Sequence, residues 1–228
     1  MVRGCAVLSV LFGILFLWGC SDTAPVILDV RATLIREYDS GGRARQRLVV
    51  FAEDNNGGIR VKLLRVSHSE SGFVWTMPAY SEAYGSRYLV KDHSWSGAGT
   101  LYPPRDEYFP EGSYELLWTD LAGREVSVDF VIGAEEASRT GGGITAALPV
   151  LSISDNRWSL APQSDYFSIR YLLCFNAEDE LLFMDTYEKF PASVLALREK
   201  YPESAYVRAY GANKKGTAGL LLSPVDLP

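Results

Sequence analysis

The sequence predicts an all-β protein with two domains joined by a glycine-rich linker, and three observations carry that prediction. After Pro25, apolar and β-branched runs of five to ten residues alternate with clusters of Gly, Asn, Asp and Pro, the pattern of strands and turns. Helical periodicity is nearly absent, with one short exception late in the chain. Between the halves, residues 134–146 include Ser138, Thr140 and Gly141-Gly142-Gly143, and no large apolar residue occurs before Ile144. That composition suits a linker, and it would also suit a surface loop of a single larger unit.

The first strand reads as Val26 to Ile35, followed by a turn at Glu37-Tyr38-Asp39-Ser40-Gly41-Gly42. Arg47 to Ala52 alternates as a second strand, and Asp54-Asn55-Asn56-Gly57-Gly58, rich in residues that tolerate positive φ, leads into Ile59 to Val66. Phe73 to Met77 and Arg87 to Lys91 read as strands around a Tyr-rich stretch, before a Gly/Pro-rich passage from Gly97 to Pro110. Tyr114 to Thr119 and Glu125 to Ile132 form the clearest pair, with Val126, Val128 and Phe130 on one face and a turn at Asp120-Leu121-Ala122-Gly123.

Two stretches of this half resemble bacterial immunoglobulin-like domains. Pro110-Glu111-Gly112-Ser113-Tyr114 with Trp118-Thr119-Asp120-Leu121-Ala122-Gly123-Arg124 is similar to their terminal hairpin, and Ala52-Glu53-Asp54 with Gly58-Ile59-Arg60-Val61-Lys62-Leu63 to an earlier one. The resemblance implies a β-sandwich over 26–133, of a kind mostly structural or adhesive, with no shared catalytic residue.

Strands resume at Leu148 to Ile153, Trp158 to Leu160, Ser168 to Phe175 and Leu181 to Met184. The exception to the β pattern follows: Pro191 suits a first helical turn, Val194, Leu197 and Tyr201 share one stripe, and Pro202 ends it. Ala205 to Ala212 and Gly219 to Leu222 close the chain. Tyr206-Val207-Arg208-Ala209-Tyr210-Gly211-Ala212-Asn213, Gly216, Ser223 and the early Trp158 resemble a fibronectin type III domain. That implies a second β-sandwich, with one short helix, over 147–228.

The N-terminus has the design of an export signal over 1–19: Arg3, an apolar run from Ala6 to Trp18 of about 13 residues, and Gly19. A spanning helix needs about 20 apolar residues. Leu17-Trp18-Gly19-Cys20 resembles the lipobox of bacterial lipoproteins, and the polar leader Ser21-Asp22-Thr23-Ala24-Pro25 completes a tether over 20–25. The resemblance implies acylation of Cys20, palmitate included, and anchorage of the chain in a lipid bilayer of the cell envelope. The anchored protein would face the periplasm or the cell surface. An ordinary secretory signal, with Cys20 a bystander, is the alternative.

Removing the signal from 228 residues leaves 209, with 21 basic against 28 acidic residues and a net charge near −7. That balance argues against nucleic acid as a partner. Cys5 leaves with the signal and Cys20 takes lipid, so Cys174, inside an apolar run, is the one thiol left and no internal disulfide is expected.

No catalytic residue, metal site or cofactor is expected. Neither Gly-x-Ser-x-Gly nor Ser-x-x-Lys occurs, and His68 and His93 are isolated. Glu53-Asp54-Asn55-Asn56 could supply oxygens to calcium, but the same residues make plain hairpin turns. The distinctive feature is aromatic: Tyr80, Tyr84 and Tyr88 recur every four residues in a polar stretch, with Trp95 just beyond. Such rings suit a partner surface, and they would equally suit a core. The expectation is a non-catalytic, membrane-anchored lipoprotein that binds or scaffolds another envelope or extracellular protein. Alternatives are an envelope-assembly accessory that takes clients by strand addition, and a glycan-acting hydrolase.

Overall fold

In the computed structural model, residues 26–54, 61–78, 86–90, 93–104, 108–141, 148–161 and 168–228 are described. The long opening strand β1 (Ile27–Tyr38) pairs antiparallel with β2 (Ala44–Asp54). It runs three residues beyond the expected Ile35, because Arg36, Glu37 and Tyr38 stay in the ladder opposite Gln46, Arg45 and Ala44. The turn closes at Asp39, whose side chain accepts the Arg43 N–H at 2.9 Å and whose own N–H donates to the Arg43 carbonyl at 3.0 Å. The Arg43 main-chain N–H, helped by its guanidinium, holds the Asp39 carboxyl below its ordinary range.

Strands β3 (Val61–His68), β4 (Val74–Pro78), β5 (Ser86–Val90), β6 (His93–Leu101), β7 (Gly112–Asp120) and β8 (Glu125–Ile132) follow. After helix α1 (Ala134–Thr140) come β9 (Val150–Ser154), β10 (Arg157–Ala161), β11 (Ile169–Phe175), β12 (Leu181–Thr186), helix α2 (Val194–Lys200), β13 (Tyr206–Ala212), β14 (Ala218–Leu221) and β15 (Val225–Asp226). The protein is therefore all-β, with the anticipated short helix in its second half.

A nine-stranded sheet runs β12-β11-β13-β14-β1-β2-β6-β5, with β15 beside β13, and a four-stranded sheet runs β4-β3-β7-β8. In the first half these two sheets enclose a core that includes Leu34, Leu48, Val50, Met77, Phe109, Tyr114, Leu116 and Trp118. In the second half, the hairpin of β9 and β10 and helix α2 cover the large sheet. Leu151, Leu172, Cys174, Phe190, Leu197, Val207 and Leu220 fill that core. Each fully buried large side chain contributes about 1.5–3 kcal/mol through removal from water. Helix α2 begins at Val194 because the Ser193 hydroxyl caps it, accepting the Ala196 N–H at 3.1 Å.

One large sheet thus passes through both halves. Its central junction is the parallel pairing of β1 with β14, with Leu34 opposite Ala218 and Glu37 opposite Leu221. The segment expected as linker begins as helix α1, while 142–146 lie outside the described residues. Glu135 and Glu136 suit the positive end of its dipole, and Arg139 pairs with Glu135 at 2.7 Å. Thr140 is buried and its hydroxyl accepts the Gln46 amide at 2.7 Å, while Glu136 accepts the Thr217 hydroxyl at 2.7 Å. The helix is a brace between halves, which short polar residues do not announce in sequence.

Burial pushes the Cys174 thiol up to about 11. Since the thiolate is the reactive form, native protein at pH 8 is expected to leave Cys174 unmodified by a colorimetric thiol reagent, with one further equivalent released on denaturation. Rapid native labelling would show an opening that the buried strand does not suggest.

Candidate functional site

Alternation gives the large sheet an inner, core-lining face and an outer face. Register aligns Tyr171 of β11, Tyr210 of β13, Leu221 of β14, Glu37 of β1 and Arg45 of β2 in one cross-strand row. Tyr171 and Tyr210 stack at 6.4 Å, and in a parallel row Phe175 and Tyr206 stack at 5.0 Å. Gly219 makes room for this: a Cβ there would lie 2.7 Å from the Tyr210 ring, so the ring lies across β14. Desolvation, followed by its hydrogen bond to Asp179 at 2.9 Å, pushes the Tyr206 hydroxyl up to about 12. At the β12 margin, Leu181 and Met184 are 51% and 50% exposed.

The row's other end is polar. Glu37, its side chain 7% exposed, accepts the Arg45 Nε and the Tyr102 hydroxyl, the latter at 3.1 Å. Arg47 Nε lies 3.1 Å from the second carboxylate oxygen, an ionic contact rather than an aligned hydrogen bond. Arg47 also donates to the Gly99 carbonyl at 2.9 Å. Arg208 donates to the carbonyls of Leu222 and Tyr38, at 2.9 and 2.7 Å, and burial lowers its pKa. One buried carboxylate therefore stands among three guanidinium groups.

Beside this cluster opens a cleft of about 720 Å³, lined by Asp39, Arg43, Arg45, Gln46, Tyr102 and Tyr108, among others. The Arg45 guanidinium lies 4.3 Å over the Tyr102 ring, a cation–π contact that orients it. The arrangement offers positive forks beside ring surfaces, chemistry that can bind and orient a carboxylate. Among the described residues, no three of His, Cys, Asp and Glu come together to hold a metal.

No protein-family model matches the chain. No curated protein is significantly similar to it in sequence either.

Of the residues expected at a partner surface, Trp95 alone has a described side chain. Tyr80 and Tyr84 lie outside the described residues, as do Cys20, the signal and Asn55 to Arg60. Tyr88 stands on β5, opposite Trp95. Trp95 is 5% exposed, with the Arg31 guanidinium 4.5 Å over its ring, so this side chain is covered rather than displayed. His68 is buried and its Nδ1 accepts the Ser71 N–H at 3.1 Å; its ring packs 4.6 Å from that of Tyr114. Sequence reading passed over Arg43, Arg45 and Arg47, although their spacing of two marks three basic side chains on one strand face. Their acidic partner Glu37, expected in a turn, lies in β1 instead.

Proposed function

We propose that the chain is a non-catalytic binding or scaffold module of a bacterial envelope, held to a bilayer through acylated Cys20, with another envelope protein as its partner. The observation that carries the binding role is the outer face of the large sheet. There, stacked aromatic rings, exposed Leu181 and Met184 and a guanidinium cluster lie on a single rigid element. Aromatic rings and arginines are the side chains that protein interfaces favour. The lipobox-like Leu17-Trp18-Gly19-Cys20 supports the tether. An immunoglobulin-like reading of the first sandwich is supported by Tyr114, whose hydroxyl donates to the Pro110 carbonyl four residues upstream at 2.8 Å, in the manner of a tyrosine corner.

Acylation is what the first experiment reads, since two or more lipid chains give stable membrane attachment. Wild-type protein should incorporate labelled palmitate and enter the detergent phase. Cys20→Ala should do neither. Continued partition of the variant into detergent removes the lipoprotein reading. The binding face is tested separately, by cross-linking in the native envelope: Met184→Asp should lose adducts that wild type forms.

A further inference from the structure

The cleft exists because one strand stops short. The β2–β6 ladder ends at Leu48 opposite Leu101, and continuing that register by two residues places Pro103 opposite Gln46. Proline has no N–H to give, so the ladder cannot extend. The Tyr102 carbonyl turns instead to the Trp75 indole, which donates at 2.7 Å. Among the described residues, residues 44–46 of β2 thus pair with β1 alone.

The bonding phase of that edge follows from the turn. Opposed residues in an antiparallel pair alternate between bonded and non-bonded positions. The Asp39 N–H donates to Arg43, so the next bonded pair is Glu37 with Arg45, and Ala44 directs its N–H and C=O away from β1, toward the cleft, while Gln46 is buried. Flanking this open edge are Arg43 and Arg45, 88% and 63% exposed. Each is held through its Nε, by Asp39 and Glu37, which leaves the outer nitrogens of both forks without a hydrogen bond to any described residue. Arg47 and Arg208 add positive charge that Glu37 alone does not balance.

From this geometry we infer that the cleft binds an extended acidic peptide, which pairs its main chain with Ala44 at the exposed start of β2 and places carboxylates two residues apart against Arg43 and Arg45. Main-chain bonds supply the hold and the alternating carboxylates the selectivity, the division of labour of strand addition. Carboxylates suit Arg forks that are already oriented. The inference rests on the binding-module reading and names its partner's chemistry.

The probe is an end-capped, fluorescein-labelled peptide of four Thr-Glu repeats, titrated into the full mature chain in detergent micelles and followed by anisotropy. Replacing every Glu by Lys should weaken binding tenfold or more. N-methylation of the central residues, which removes main-chain donors and leaves the charges, should do the same. Arg43→Gln should weaken it several-fold with an unchanged melting temperature, as Arg43 is a surface side chain. Oligogalacturonate of equal charge should bind more weakly than the peptide. The inference is overturned by absence of binding, by indifference to Lys replacement, to N-methylation or to Arg43→Gln, or by preference for the oligosaccharide. None of these outcomes touches the tethered-module reading, which stands or falls on the Cys20→Ala partition and the Met184→Asp cross-linking.

Discussion

Expressed without residues 148–228, the segment 26–141 is expected to lose cooperative unfolding, although it carries a complete core of its own. Its β1 edge would be bare from Leu34 to Glu37, where β14 now pairs. Ile35, buried against the neighbouring strand that holds Gly219, would meet water. The Glu136–Thr217 bond and the Arg208 bond to the Tyr38 carbonyl would be lost as well. The complementary segment 148–228 would fare no better, because all four residues of β14 are buried. These losses are a large part of the 5–15 kcal/mol that holds a typical domain folded, and an open central edge invites aggregation. Thermal melts should show no transition for either segment alone, binding of a hydrophobic dye, and recovery of one shared transition on co-expression. A sharp, unshifted melt of 26–141 by itself would establish two independent domains.

The second large effect centres on Glu37. Glu37→Gln keeps the size and one acceptor but leaves the guanidinium groups of Arg45, Arg47 and Arg208 facing each other around a site that was 7% exposed. Breaking a buried ion pair by removing one partner costs about 3–5 kcal/mol, and the low end applies because Arg45 itself is well solvated. Denaturant melts should record a loss of about 3 kcal/mol with an unchanged slope. In the double variant Glu37→Gln/Arg47→Gln, part of that loss should return, since one uncompensated charge goes with its counterion. A loss below half a kilocalorie in the single variant, about the scale of a surface change, would mean that water screens the cluster.

Local order in this protein was legible in its sequence where short-range chemistry decides it. Alternation located β7 and β8 to within two residues, because Tyr114, Leu116 and Trp118 face the core while their neighbours face out. Helix α2 was legible from Val194 and Leu197, and only its start differs, set by the Ser193 cap. What sequence did not reveal is non-local. Nothing near Leu34 says that its neighbour will be Ala218, so the sheet that joins the two halves is not legible. Helix α1 was missed for the related reason that its anchors, Gln46 and Thr217, lie far along the chain. The candidate site was barely legible: the tyrosine spacing drew attention to 80–88, whereas the cleft is assembled from a turn, an arginine alternation and a proline that ends a neighbouring strand.

The pairing of β1 with β14 also sets a timetable. Thr33 donates to the carbonyl of Gly216, a partner 183 residues later. During synthesis, the first strand to emerge must therefore wait, its edge unfilled, until almost the last residues appear. Contacts of such long sequence separation close slowly, because the entropy of the intervening loop is spent before any bond rewards it. The centre of the large sheet is consequently late to form, and the β1 edge stays open until β14 has been made. The contact that locks the two halves together is thus made only after both have been synthesised.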